Sequence, residues 1–202
     1  LVINAGGMVD LQDVKDVKNI LVLSQLGVET GDALADILLG KQNPSGKLTT
    51  TWAAWEDYCH VGDFGNEDDT RYREGIYVGY RYFETIPNAA QKVIYCFGYG
   101  LSYTSFEISN IQQEHQETAF AVRCTVTNTG NTGGKEVVQI YAQAPQGLLG
   151  KPARELVAFK KTKLLAPGES QQLTLSFDLT QIASYDDLGK LQKSAFLLEA
   201  GT

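Results

Sequence analysis

The stretch "FAVRCTVTNTGNTGGKEVVQIYAQ", residues 120–143, decides how the second half of this chain is read. Phe120, Val122, Cys124 and Val126 fall on one side of its first run, and Ala121, Arg123, Thr125 and Thr127 on the other. That two-residue period belongs to a half-buried strand. "NTGNTGG" (128–134) is a turn, and "KEVVQIYAQ" (135–143) returns as a second strand. Further along, "LLAPGES" (164–170) is a turn before the strand "QQLTLSFDL" (171–179). "DDLGKLQ" (186–192) makes a hairpin tip with Asp186 and Asp187 as turn residues, and "AFLLEAG" (195–201) is a final strand. No helical period appears after about residue 103. Short strands punctuated by Gly, Asn and Pro predict a β-sandwich of roughly seven strands and 100 residues.

The first half alternates strand and helix signals, as an α/β unit does. "LVIN" (1–4) and "VKNILVLSQL" (17–26) are strands, the second almost continuously apolar, as expected of a strand covered on both faces. "ETGDALADILLG" (29–40) predicts a helix with Thr30 as N-cap, Asp32 in the first turn and Gly40 at the end. Ala33, Leu34, Ile37 and Leu38 form its core-facing stripe. "NPSG" (43–46) is a turn and "KLTTTW" (47–52) a further strand. Residues 73–85, "REGIYVGYRYFET", also read as a strand. Ile76, Val78, Tyr80 and Tyr82 would lie on one face and Tyr77, Gly79, Arg81 and Phe83 on the other. Neither face suits water, so both are expected to be covered, with Arg81 pairing with a carboxylate from residues 56–69.

Between them, residues 53–74 carry seven acids, Glu56, Asp57, Asp63, Glu67, Asp68, Asp69 and Glu74, against Arg71 and Arg73. A long loop of this kind is often functional or pinned to a neighbour. Asp63, Asn66, Glu67, Asp68 and Asp69 could gather around calcium, but their spacing is not that of a twelve-residue calcium loop, and a solvated acidic loop is the simpler reading. Trp52 and Trp55 could stack on sugar rings, although filling a core is the commoner use of such residues.

Composition narrows the function. The net charge of −7 disfavours nucleic acid, whose recognition rests on basic contacts to phosphate. No apolar run is long enough to span a bilayer as a helix, so no membrane role is expected. Cys59, Cys96 and Cys124 show no CxxC spacing and no disulfide framework, and His60 and His115 stand apart, so no metal site is assigned. The unpaired cysteines and the lack of a signal peptide favour a cytoplasmic setting. With no initiator Met and "LVINAGG" reading as a strand already under way, a fragment or processed chain is expected. Its sheet should expose an open edge and draw in a partner chain. No Gly-x-Ser-x-Gly elbow, P-loop or dinucleotide fingerprint occurs, so neither nucleophilic serine chemistry nor a cofactor is indicated.

Several motifs in a fixed order carry a more specific message. "GDALADILLGKQNPSGKL" (31–48), "EGIYVGYRYFE" (74–84) and "FGYGLSYTSF" (97–106) resemble the C-terminal part of glycoside hydrolase family 3. "GKEVVQIYAQAP" (134–145), "ARELVAFKKTKLLAPGES" (153–170) and "FDLTQIASYDD" (177–187) resemble the fibronectin type III-like domain that follows it in many members. The resemblance implies an incomplete α/β sandwich portion over residues 1–102 and an all-β immunoglobulin/fibronectin type III-like sandwich over 103–202. It also implies that the whole protein is a retaining β-glucosidase, using a carboxylate nucleophile and a carboxylic acid/base about 5 Å apart. The family's nucleophile is an aspartate on a barrel, often within Ser-Asp-Trp, and its acid/base glutamate lies in a segment usually upstream of the part matching "LVINAGG". Neither segment occurs here, so no catalytic residue is assigned, and the missing barrel half is expected on either side of this chain or as a partner chain.

The helix start departs from the family's common Gln-Glu-Gly-Gly, reading "VETG" (28–31). Glu29 keeps the glutamate position, at the strand-to-helix edge where α/β sheets bind ligands. It is the candidate substrate-contacting residue, with service to the helix N-terminus as the plainer alternative. Cys59 and Cys96 stand where relatives often have proline. The rival to an enzyme portion is a stand-alone carbohydrate- or protein-binding module.

Overall fold

The computed structural model describes residues 1–58, 68–69 and 71–200. The chain separates into two compact units, Leu1–Gly100 and Leu101–Thr202. No helix among the described residues is long and apolar enough to cross a membrane.

The first unit begins with β1 (Val2–Ile3) and β2 (Leu21–Val22), paired in parallel with Ile3 opposite Val22. Helix α1 (Thr30–Leu38) follows, then β3 (Trp52–Ala53) and the short α2 (Trp55–Tyr58). After α3 (Tyr80–Thr85) and a 3-10 turn at Ala89–Lys92, β4 (Val93–Tyr95) returns antiparallel to β3. Ile3, Leu11 and Trp52 form one buried cluster, closed by Ile20, Val22, Leu48 and Tyr95. Ala53, Phe83 and Ala89 form another, closed by Tyr58, Tyr82 and Val93. Trp52 is thus a core residue. The strand expected over residues 47–52 survives only at its end. Leu48 nevertheless keeps strand-like bonding, donating from its N–H to Tyr99 O at 2.8 Å and accepting from Gly98 N at 2.8 Å.

Residues 73–85 depart most from their sequence reading. The run is broken at Gly79, whose φ of 59° and ψ of −129° suit only a residue without Cβ. Before it the chain turns, with Tyr77 N–H donating to Glu74 O at 3.0 Å. After it, α3 winds from Tyr80 to Thr85. A strand would have put Tyr80 and Phe83 on opposite faces; at helical spacing they share one, and both are buried. Phe83 meets Tyr82 edge-on at 5.2 Å and Tyr58 at 5.6 Å.

Helix α1 needs two corrections. Glu29, not Thr30, occupies the N-cap position, and its side chain makes no capping bond; the Thr30 hydroxyl instead donates to Gly27 O at 2.5 Å. The expected core stripe is not a core. Leu34 and Ile37 are half-buried, Ala33 and Leu38 are exposed, and no residue of the helix is fully buried. Amphipathic spacing forms a helix but cannot supply the surface that covers it, and the described residues cover this stripe only in part. Gly40 ends the helix as expected, at φ 70° with its N–H donating to Ile37 O.

The second unit is a sandwich of seven strands among the described residues. β5 (Phe106–His115), β6 (Ala119–Asn128), β7 (Val137–Ala142), β8 (Glu155–Lys161) and β9 (Ser170–Asp178) are followed by the hairpin of β10 (Ser184–Asp186) and β11 (Ala195–Leu197). β6 lies between β5 and β9, and β7 pairs with β8, all antiparallel. Cys124, Val126, Val138, Leu165, Leu173 and Leu175 make the core between the sheets. The alternation across residues 120–127 has this as its cause: Val122, Cys124 and Val126 point inward, while Arg123 points out and pairs with Glu114 at 3.0 Å. β5 is an edge strand of its sheet. A register shift between Ser109 and Gln112, with Asn110 at φ 50°, interrupts its ladder and guards against edge-to-edge pairing.

Asn128, expected to open a turn, is the fully buried last residue of β6. Its Oδ1 accepts from Thr104 Oγ1 (2.7 Å) and Gly130 N (3.1 Å), while its Nδ2 donates to Thr132 O and Leu165 O, both at 2.9 Å. One side chain thereby fixes the start of β5, the 128–134 turn and the segment leading to β9.

Candidate functional site

Glu29 stands where the chain leaves β2 for α1, at the carboxyl edge of the parallel pair. Its residue is exposed, as is Val28, which is fully open to water. The loops after the two strands are packed together there. A Cβ on Gly6 would stand 2.9 Å from Gln25 Cδ, so the glycine makes room for that amide. Ser24 holds a left-handed φ of 56° at the same edge. Glu29 is exposed at this edge; its carbonyl accepts from Ala33 N at 3.0 Å, while its side chain makes no capping bond to the helix.

Trp55 is about half exposed on α2, and its N–H donates to Asp10 Oδ2 at 2.8 Å. Asp10 Oδ1 also accepts from Gln12 N at 2.9 Å. The Gln12 and Trp55 N–H bonds hold the Asp10 carboxyl below the usual aspartate range. Asp10 thus ties the loop after β1 to the start of α2. Sequence reasoning passed it over, and the only available signal was an Asp two residues before a turn. The Arg81 guanidinium lies 5.4 Å from the centre of the Tyr80 ring. Tyr77 and Arg81 are half-buried and Phe83 is buried, but Ile76 and Val78, expected to be covered on the other face, are exposed, so the segment is covered only in part.

Asp63, Asn66 and Glu67 of the calcium reading, together with Cys59 and His60, lie outside the described residues. Asp68 and Asp69 are exposed. Among the described residues no group of three or more His, Cys, Asp or Glu side chains is placed to hold a metal ion. Cys96 is exposed and Cys124 is buried, and burial pushes the Cys124 thiol up. His115 packs on Phe120 at 4.5 Å, and Phe120 stacks on Phe177.

Asp186, read from sequence as a turn residue, organises its turn from inside. It is only 1% exposed. Its Oδ1 accepts from Gly189 N and Lys190 N, and its Oδ2 from Leu191 N and Gln192 N, at 2.7–3.0 Å. Burial alone would raise its pKa; the four N–H bonds outweigh that and hold the carboxyl below the usual range. A depressed carboxylate contributes stability above its unfolded pKa and loses it as pH falls through the folded one. Asp186→Ala is therefore expected to lower the thermal midpoint at neutral pH and to flatten its acid-side decline. A midpoint series from neutral to about pH 3 reads both effects; an unchanged acid slope would remove Asp186 as its source.

An α/β unit followed by a fibronectin type III-like sandwich is the architecture on which the comparisons converge. Residues 1–103 match the model of the glycosyl hydrolase family 3 C-terminal domain, and residues 136–202 that of the fibronectin type III-like domain. The chain belongs to glycoside hydrolase family 3. Beta-glucosidase A of Butyrivibrio fibrisolvens is 49% identical over 221 residues, covering all of this chain and 27% of that protein. A beta-glucosidase of Ruminococcus albus is 42% identical, again over the whole chain and over 21% of its own length. The solved structure of a beta-glucosidase from Paenibacillus barengoltzii superposes with a TM-score of 0.91 at 46% identity, over 99% of this chain and 23% of that one. Beta-glucosidase 3B from Thermotoga neapolitana, solved with glucose, gives 0.83 at 42%, over 91% of this chain and 26% of that one. The chain spans about a quarter of the length of these relatives.

Proposed function

We propose that this chain is the non-catalytic C-terminal portion of a retaining family 3 β-glucosidase, with an α/β sandwich portion over residues 1–102 and a fibronectin type III-like domain over 103–202. The observation that carries this reading is the match of the whole chain to about a quarter of several beta-glucosidases. In it, a barrel elsewhere in the protein supplies the nucleophile, and the whole enzyme releases a terminal sugar through a covalent glycosyl-enzyme intermediate.

A general acid needs a pKa raised toward neutrality, and five carboxylates of this chain are shifted the other way. Asp10, Glu169, Asp178, Asp186 and Glu199 are all held low by hydrogen bonds to backbone N–H groups, a lysine or a threonine. These carboxylates serve structure. Glu29, exposed at the carboxyl edge of β1 and β2, has the freedom to meet substrate hydroxyls at the rim of the enzyme's site.

The test has two arms. This chain should release no aryl alcohol from an aryl β-glucoside; turnover abolished by changing one carboxylate within residues 1–202 would overturn the reading. In the full-length parent, Glu29→Gln should raise KM several-fold with little change in kcat, the pattern of a lost ground-state contact. An unchanged KM would return Glu29 to a helix-terminus role. Tight oligosaccharide binding by this chain, in a parent with no barrel, would establish the binding-module alternative.

A further inference from the structure

The connection between β7 and β8, residues 143–154, is held in an unusual way. It contributes nothing to the apolar cluster at the centre of the sandwich. Its buried residues are Lys151 and Pro152, and the chain wraps around the lysine. Lys151 Nζ donates to Pro145 O at 3.3 Å, and Gln146 Nε2 donates to Pro152 O at 3.3 Å. The counter-charge comes from Glu199, in the segment after β11. Glu199 Oε2 stands 3.0 Å from Lys151 Nζ, with the two side chains only 9% and 5% exposed. Glu199 Oε1 also accepts from Leu148 N at 2.6 Å, and Lys190 Nζ donates to Leu148 O at 3.1 Å. Both backbone groups of Leu148 are thereby tied down, while its side chain stays 66% exposed. Gly147 permits the approach, because a Cβ there would overlap the Glu199 carboxylate.

We propose that residues 143–154 form a strap latched by Glu199, which opens as a local unit in acid while the sandwich core stays folded. Regions held by few apolar contacts open at lower free energy than the core, and this loop is held by polar bonds that converge on one carboxylate. A buried ion pair is strongly coupled: removing one charge leaves the other desolvated and uncompensated. Protonating Glu199 therefore destabilises Lys151 in its buried position and weakens the hold on Leu148.

The charges facing Glu199 are few. Lys151 meets it directly, and Lys190 reaches the same loop through Leu148 O. Asp186, at the hairpin end, has both oxygens engaged by its own turn. The Lys151 ammonium beside it outweighs burial and, with the N–H groups of Leu148 and Leu149, holds the Glu199 carboxyl below the usual glutamate range. The latch is closed above the ordinary glutamate pKa and opens as pH falls through the lower, folded value.

Hydrogen exchange resolved to single amides tests this in the full chain, with rates corrected for their intrinsic pH dependence. In Glu199→Gln, the Leu148 and Leu149 amides should exchange at least about tenfold faster at neutral pH, with β6 amides from Val122 to Val126 unchanged. In the unsubstituted chain the same acceleration should appear on acidification. The double variant Lys151→Met with Glu199→Leu removes the titrating carboxylate and the buried ammonium together; its Leu148 and Leu149 amides lose their acceptor, and their corrected exchange rates should not change with pH. If the strap and β6 amides always lose protection together, or if Glu199→Gln leaves Leu148 protected, there is no latch. Should Glu199→Gln fail to fold, the double variant decides: acid opening that persists in it overturns the proposal, and its loss upholds it.

Discussion

Asn128→Ala is expected to destabilise the sandwich by about 4 kcal/mol, at the far end of what single substitutions do. The side chain is fully buried and all four of its hydrogen bonds are local to β6 or reach across the unit. Its removal leaves Leu165 O with only the bond from Gly134 N, and Thr132 O and Gly130 N short of a partner. It also empties the volume the amide filled. Asn128→Asp should recover nothing, because it would turn a second acceptor toward the carbonyls of Thr132 and Leu165. Thr104→Ala removes a single bond to Oδ1 and should cost about 1 kcal/mol. Urea titrations of the three variants check the ranking, and an Asn128→Ala loss no larger than that of Thr104→Ala would reduce Asn128 to an ordinary turn residue.

Phe83→Ala should be the most damaging change in the first unit, by about 3–5 kcal/mol. Phe83 is 2% exposed and joins Tyr58 and Tyr82 to the cluster that holds Ala53 and Ala89. Few large side chains are fully buried in that unit, so little else can close over the space. Phe83→Leu keeps most of the volume and should cost under about 2 kcal/mol. Phe83 also separates the two readings of its segment. Under helical geometry Tyr80→Ala and Phe83→Ala disturb the same side of the element, so their double variant should be non-additive. Strict additivity in a double-mutant cycle would favour a strand.

The strand reading of residues 73–85 failed for a specific reason. A short run of alternating apolar residues satisfies a two-residue and a 3.6-residue period about equally well. The deciding fact is the backbone of Gly79, and glycine can adopt that conformation without announcing it in sequence. The α1 stripe failed differently. Its period was right, but a period states which residues could be buried together, not whether a covering surface exists. The position of Glu29 between β2 and α1 was legible because the strand-to-helix edge is a local feature. Asp10 was not, because its bond to Trp55 joins residues 45 apart.

By itself, the sequence determined the two-part organisation and the family. The alternation from Phe120 to Val126 and the order of several motifs are local patterns, and local patterns survive reading one residue at a time. Tertiary structure alone decided that Asn128, Asp186 and the Lys151–Glu199 pair are buried, each beside its partners. Their partners include Leu165, 37 residues from Asn128, and Leu148, 51 residues from Glu199. A polar side chain in a turn looks the same in sequence whether water or the interior receives it. Only the folded chain brings up the N–H groups and counter-charges that make its burial affordable.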